Sequence, residues 1–294
     1  MKLIALGDNC IDHYRNTGKL FPGGNAVNVA VHAARLGFEA EYLGCLGDDA
    51  YAEVLERALR ENHVAAAYCV RLPAHTTKIC RYDVAQGERS LVEVVAGPAW
   101  AGPVRLDRRA LAHLAEADLV ASSCNAKIAG QLAAVQALAP IFVYDFGEKE
   151  KYRTDAYYDL VCHQIDLAMF SCRPMERAVF AAFCAPLHRR GVVHVLATLG
   201  AQGQLLSDGK NIYQKGLRAV SACDTMGAGD AFLASFSCAL YRAGWQKGRV
   251  MPPSALMNAL AEGQRVSAQN CMREGGFGYG VLCPKHAGGE GKQI

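Results

Sequence analysis

Short runs of consecutive apolar residues alternate along this chain with longer stretches in which apolar positions recur every three or four residues. LIALGD (3–8) reads as a first strand, and after a loop Val27, Ala30, Val31 and Ala34 fall on one face of a helix that stops at Gly37. EAEYLGCLG (39–47) predicts a second strand, followed by a helix with Tyr51, Val54, Leu55, Ala58 and Leu59 on its inner face. ADLVASS (117–123), PIFVYDF (140–146), DLAMFS (166–171) and VVHVLATLG (192–200) repeat the strand pattern, each separated from the next by a segment that can be helical. Strands alternating with helices predict an α/β fold, a mostly parallel sheet covered on both faces, with ligands at the carboxyl ends of its strands.

One region breaks that rhythm. HTTKICRYDVAQGERSLVEVVAGPAW (75–100) is rich in β-branched residues, has a Gln86-Gly87 turn signal in its middle and carries no helical stripe. It predicts a hairpin or small separate sheet inserted after the early β-α units. GQLLSDGKNIYQ (203–214) reads as a second hairpin turning at Asp208-Gly209. The glycine-rich tail 284–294 carries no pattern and is expected to be flexible.

Composition narrows the class. A chain of 294 residues, 51% of them hydrophobic, can bury a sizeable core and is expected to form one domain, 1–294. Its 31 basic and 28 acidic side chains are scattered, for a net charge of +3, which speaks against nucleic acid or an anionic membrane as main partner. The twelve cysteines run from Cys10 to Cys283 without a C-x-x-C pair, the usage of reduced thiols in a soluble, cytoplasmic protein. The opening MKLIALGDNC is too short an apolar run for a signal peptide, and no later run approaches a membrane span.

Two glycine clusters carry the chemistry. In ACDTMGAGDAF (222–232), Gly227, Ala228 and Gly229 follow a predicted strand, RAVSACD (218–224), and precede a helix with Phe232, Phe236 and Leu240 on one face. The first N–H groups of a helix have no helical partner and sit at the positive end of its dipole, so small residues there let an anion approach closely. Asp230 then lies in the first turn, where it can accept a proton from a hydroxyl attacking phosphorus, or merely cap the helix. The second cluster, FPGGNAVNVA (21–30), sets Gly23 and Gly24 before a helix bearing Asn25 and Asn28, whose amides can both donate to and accept from sugar hydroxyls, unless this is an ordinary capped loop. GDNCID (7–12) places Asp8 and Asp12 at or just beyond the end of the first strand, suited to hydroxyls or simply solvated. Neither G-x-G-x-x-G after the first strand nor G-x-x-x-x-G-K-[ST] occurs, which removes a Rossmann dehydrogenase and a P-loop enzyme. The nine histidines show no metal-ligand spacing.

GGNAVNVA near the start and DTMGAGDAF near the end together resemble the two signatures of the ribokinase family, the PfkB carbohydrate kinases, in order and spacing from Leu3 to about Gly276. The resemblance implies a ribokinase-like three-layer α/β sandwich with a small β-sheet lid, built from about 12–21 and 75–100. It implies ATP and Mg²⁺ as cosubstrates, a monovalent cation such as K⁺ near Asp224, and phosphoryl transfer to a sugar-type hydroxyl. Asp230 would be the base and Gly227, Ala228 and Gly229 the anion hole. Asp8, Asp12, Gly23, Gly24 and Asn28 would bind substrate; Thr198, Gly200, Gly203 and Thr225 the nucleotide. SAQNCMREGG (267–276) resembles the element on the adenine side. The family's N-x-x-E reads RPME here, so Glu176 would reach the metal through water while Arg173 replaces the asparagine. Within the family, GDNCID, GGNAVNVAV, GDDAY and DTMGAGD are most similar to the fructoselysine 6-kinases, which phosphorylate an Amadori compound. A kinase of a free sugar or a nucleoside, and a sugar-binding regulatory protein without catalysis, are the other readings. A homodimer through the lid is expected, with Trp100 available to pack on substrate or partner, and no nucleic-acid or membrane partner.

Overall fold

The computed structural model describes residues 1–85, 88–96, 102–135 and 137–283. The Gln86-Gly87 turn, Trp100 and the tail 284–294 lie outside them. The strands, in chain order, are β1 (Lys2–Leu6), β2 (Cys10–Tyr14), β3 (Lys19–Gly23), β4 (Glu39–Leu43), β5 (Cys45–Leu46), β6 (Val64–Ala65), β7 (Val70–Arg71), β8 (Ile79–Ala85), β9 (Glu88–Val95), β10 (Leu119–Ser123), β11 (Ile141–Asp145), β12 (Leu167–Ser171), β13 (His194–Thr198), β14 (Gln204–Ser207), β15 (Ile212–Lys215) and β16 (Val281–Leu282). The helices are α1 (Asn25–Arg35), α2 (Ala50–Glu61), α3 (Arg108–Leu114), α4 (Asp155–Val161), α5 (Arg177–Arg189), α6 (Ala228–Arg242) and α7 (Pro253–Cys271).

A nine-stranded sheet forms the middle layer, in the order β15-β14-β13-β12-β11-β10-β1-β4-β6. From β6 to β13 every pairing is parallel, and only the β13-β14-β15 meander is antiparallel. Because side chains alternate across a strand, Leu3 and Ala5 of β1 enter the core under α1, α2, α6 and α7, while Ile4 and Leu6 enter the core under α3, α4 and α5. This is the mostly parallel, doubly covered sheet that the alternation predicts and the three-layer sandwich that the resemblance implies, and both faces of its strands are apolar because both are covered.

A second sheet, in the order β16-β3-β2-β8-β9, is antiparallel except where β2 runs parallel to β8. Segment 75–100 supplies β8 and β9, segment 12–21 falls within β2 and β3, and β16 is a strand that no pattern announced. The hairpin at 203–214 forms as β14 and β15; the Asp208 carboxylate closes its turn by accepting from the N–H groups of Lys210 and Asn211 at 2.8 and 2.7 Å. One expectation fails. Residues 218–224 are not a strand: the sheet ends at β15, so the segment has no neighbour to pair with and runs exposed until Asp224. Between β10 and β11 the helical segment is of the 3₁₀ kind (Cys124–Ala126 and Ala129–Val135). Among the described residues no helix is long and apolar enough to cross a membrane, and all twelve cysteines are free thiols, with Cys223 the exposed one.

Candidate active site

The carboxyl ends of β1, β10 and β11 meet the first turns of α1 and α6 at one place, and glycines let the chain come that close. Gly24 precedes α1 with φ 103°, and a side chain there would stand 2.7 Å from the Cα of Asn9 and 2.8 Å from the carbonyl oxygen of Asp8. Gly227 precedes α6 with φ 69°, and a Cβ would come within 2.5 Å of the carbonyl oxygen of Gly276. Neither helix could begin where it does with an L side chain at these positions.

Asn25 and Asn28 lie three residues apart on the first turn of α1 and so face the same way. Asn25 Nδ2 donates to Asp230 Oδ1 at 2.7 Å, and Asn28 Nδ2 donates to Asp230 Oδ2 at 2.7 Å. Asn25 also donates to Asp145 at 3.4 Å and accepts from Asn125 Nδ2 at 2.7 Å. Two carboxylates from different layers are thus bridged by one amide, itself oriented by a second. Asp8 completes the group beneath the start of α1: it accepts from the Asn25 N–H at 3.4 Å, and Lys78 Nζ lies 3.8 Å away.

Burial sets the electrostatics. It pushes the Asp230 carboxyl up to about 8, with the negative charge of Asp145 adding to the rise and the Asn28 and Asn25 amides opposing it. Burial likewise raises Asp145 to about 6, against the N–H of Gly147, and Asp12 to about 7, against its bond with Cys10 and the charges of Lys78 and Arg89. A carboxylate that holds its proton this tightly is a far stronger base than an exposed one, which is what removal of a proton from an alcohol near neutral pH requires.

On the other side of the same helical turn lies a cavity of about 630 Å³. Ser171, Thr198, Gly200, Thr225, Ala228 and Gly229 line its polar end; Leu217, Val220, Phe232 and Ala268 form apolar walls. Gly229 leaves it open, since a Cβ would meet no atom nearer than 3.8 Å. The start of α6 therefore separates a carboxylate cluster from a cavity of the size that holds small ligands. Gly203 is not in the cavity lining; with φ 86° and its Cα facing the Lys215 carbonyl, it turns the chain between β13 and β14. Glu176 and Arg173 are exposed before α5, without a hydrogen bond or ion pair to any described residue of the cluster.

The smaller sheet closes the third side. Asp12 lies on β2, within that sheet and not at the end of β1, and Gly23 ends β3 where a Cβ would press to 2.6 Å of the Asp12 carboxylate. Asp224, at the head of the α6 turn, is buried; its carboxylate pairs with the guanidinium of Arg89 from β9, accepts from Tyr14 Oη at 2.5 Å, and takes the N–H groups of Met226 and Gly275 at 2.9 and 2.7 Å. Of the residues outside the predicted set, Asp145 was within reach of sequence reasoning, since it ends a predicted strand as Asp8 does. Lys78 and Asn125 carried no comparable signal, and Arg89 was one of several charges of segment 75–100 that the sequence could not aim.

Known proteins match this chain over its whole length. It is 30% identical over 294 residues to the fructosamine kinase FrlD of Bacillus subtilis, covering 100% of this chain and 99% of that one. It is 29% identical over 278 residues to the fructoselysine 6-kinase of Escherichia coli, covering 94% and 100%. Among solved structures, the fructokinase of Xylella fastidiosa with bound ATP superposes with a TM-score of 0.77 at 18% identity, covering 94% of each chain. The family model described as pfkB family carbohydrate kinase matches residues 2–276, and the chain belongs to that family.

Proposed function

We propose that this sugar kinase transfers the γ-phosphoryl group of ATP to a hydroxyl of a sugar–amine adduct, as a fructoselysine 6-kinase. The observation that carries the proposal is the doubly held carboxylate of Asp230, gripped by Asn25 and Asn28 on one side of a helical turn whose backbone lines the cavity on the other. In this reading the nucleotide lies along Thr198, Gly200 and Thr225, with its base among the apolar walls. The acceptor hydroxyl points at Asp230, which takes its proton as the oxygen attacks phosphorus in line with the leaving ADP. N–H groups of Gly227, Ala228 and Gly229 face the charge that develops on the transferring group.

Asp8, Asp12 and Asn28 hold the sugar, with Gly23 and Gly24 giving room for it, and the smaller sheet covers it to exclude water. The surplus of buried carboxylates, with Asp145 beside the base, suits a substrate that brings a protonated amine as well as hydroxyls. That, and the two relatives' names, favour an Amadori compound over a free sugar or a nucleoside. Glu176 would hold Mg²⁺ through its water shell; it is exposed before α5, on the segment that follows β12, whose last residue, Ser171, lines the cavity. The metal supplies charge to the phosphoryl oxygens. A monovalent cation near Asp224 would have to use other oxygens or displace Arg89, whose guanidinium already balances that carboxylate. The edge strand β9 exposes Leu91, Val92 and Val94, and we assign that edge to the homodimer.

The test is ADP release with Mg-ATP against fructoselysine, other Amadori compounds, ribose, fructose and a nucleoside. Turnover on fructoselysine at a kcat/KM at least about tenfold above the others supports the assignment. Turnover only on a free sugar or nucleoside keeps the mechanism and removes the substrate. Melting shifts with no ADP from any of them favour a binding protein.

A further inference from the structure

Phosphoryl transfer leaves two cysteines of the smaller sheet, both beside Asp12, without a task. Cys10 and Asp12 are two residues apart on β2 and point the same way, and the parallel register of β2 with β8 sets Cys80 directly beside Asp12. Cys10 Sγ lies 3.5 Å from Asp12 Oδ1, and the two sulfurs and a carboxylate oxygen of Asp12 all lie within 4.8 Å of one another. Among the described residues this is the one such grouping of three potential ligands.

We propose that Cys10, Asp12 and Cys80 form a binding site for a thiophilic divalent cation, zinc(II), with its fourth position open to water. Ligand type favours zinc, because thiolate sulfur selects it over magnesium, which prefers an all-oxygen shell. Bonds of about 2.3 Å to sulfur and about 2.0–2.2 Å to oxygen fit a group that needs to contract only slightly around the ion. The charges suit a cation as well: two thiolates and a carboxylate would face one divalent ion, with the ammonium of Lys78, the residue before β8, close to these groups and to Asp8. Binding releases the two thiol protons to solvent and involves no oxidation. Cys10 and Asp12 are buried and Cys80 is half-buried.

One consequence rests on the proposed function: if Asp12 holds the sugar, the bound ion competes with it. Metal binding itself does not depend on that.

The experiment is a titration of the reduced, metal-free full chain with cadmium(II), zinc's spectroscopic stand-in, followed by thiolate-to-metal charge-transfer absorption in the ultraviolet. Saturation at one equivalent is expected, with zinc displacing the signal. Cys80→Ser, at the half-buried position, and Cys10→Ala should each weaken binding at least about tenfold, a loss that changes outside the ligand shell can already cause. Cys223→Ser should bind like the parent, and circular dichroism identifies any variant that does not fold. Absence of the absorption, or its survival in the folded Cys10→Ala/Cys80→Ser double variant, overturns the site. Zinc inhibition that sugar relieves supports the shared use of Asp12. Cadmium binding without such competition upholds the metal site and removes Asp12 from the sugar contacts.

Discussion

The two sheets of this protein are built on opposite principles. The strands β10 to β13 of the large sheet bury apolar residues on both faces, Val143, Phe170 and Leu196 among them, all at 0% exposure. The inner face of the small sheet buries Asp12 and Tyr14, while Lys78 just before β8 and Arg89 of β9 pair with Asp8 and Asp224. A packed apolar layer is specified by volume and tolerates any side chain that fills it. A buried polar face is specified by partners, and each group there is stable only while its partner is present. It follows that change in the large sheet should reach stability first, and change around the small sheet and the start of α6 should reach activity first.

The largest effect expected is that of Asp230→Asn. The amide keeps the shape, its oxygen accepting from Asn25 while Asn28 turns its own amide oxygen to the new NH₂, but it cannot take a proton, so kcat should fall by roughly 10²–10⁴. Steady-state ADP release measures it, and turnover within about tenfold of the parent would remove Asp230 as base. Stability should move the other way. Because burial holds the folded carboxyl at about 8, well above its ordinary value, the folded chain binds more protons than the unfolded one between those two values. The ligand-free parent should therefore lose stability as pH rises through that window, and Asp230→Asn should melt higher than the parent at pH 8 with a flatter pH dependence. In the parent, kcat/KM should climb with pH toward a plateau above about 8 as the base loses its proton.

The converse is Leu196→Ala, in the middle of β13. A cavity in a fully buried layer should cost about 2–5 kcal/mol in denaturant unfolding, while KM for both substrates stays within about twofold. A large KM change with little loss of stability would collapse the distinction between the sheets. Leu196 also marks what the sequence made legible. Periodicity alone located β10 to β13, because continuous apolar runs have one physical meaning when both faces are covered. The GAGD turn and the two asparagines were legible as motifs, since helix starts with small residues have few uses. Residues 218–224 misled because a β-like run says nothing about whether a neighbouring strand exists. Arg89 stood among several charges of segment 75–100 that the sequence could not aim, for a related reason: it lies in a hairpin of exposed charges, and only the way the small sheet sits over α6 gives this one a buried partner.

That hidden pairing gives the smallest effect and the sharpest contrast. Arg89 donates through one guanidinium nitrogen to Asp224 and through the other to Thr225 Oγ1 at 3.4 Å, so it ties β9 to the turn that opens α6 at two points. Arg89→Ala leaves Asp224 with Tyr14 and two backbone N–H groups, enough to keep the turn folded, but it cuts the one charged link that the described residues make between that strand and the turn. With hydrogen bonds to a charged group contributing about 1.5–3 kcal/mol, and Arg89 itself partly exposed, kcat/KM for the sugar should fall about tenfold while the melting temperature shifts less than in Leu196→Ala. Arg89→Lys should recover only part of the loss, because an ammonium is a point charge and cannot span both acceptors as the planar fork does. Full recovery with lysine would reduce the contact to charge alone. If Arg89→Ala left kcat/KM unchanged but lowered stability as much as the core variant does, the inner face of the small sheet would be a packing surface after all, and the contrast between the two sheets would hold only at Asp230.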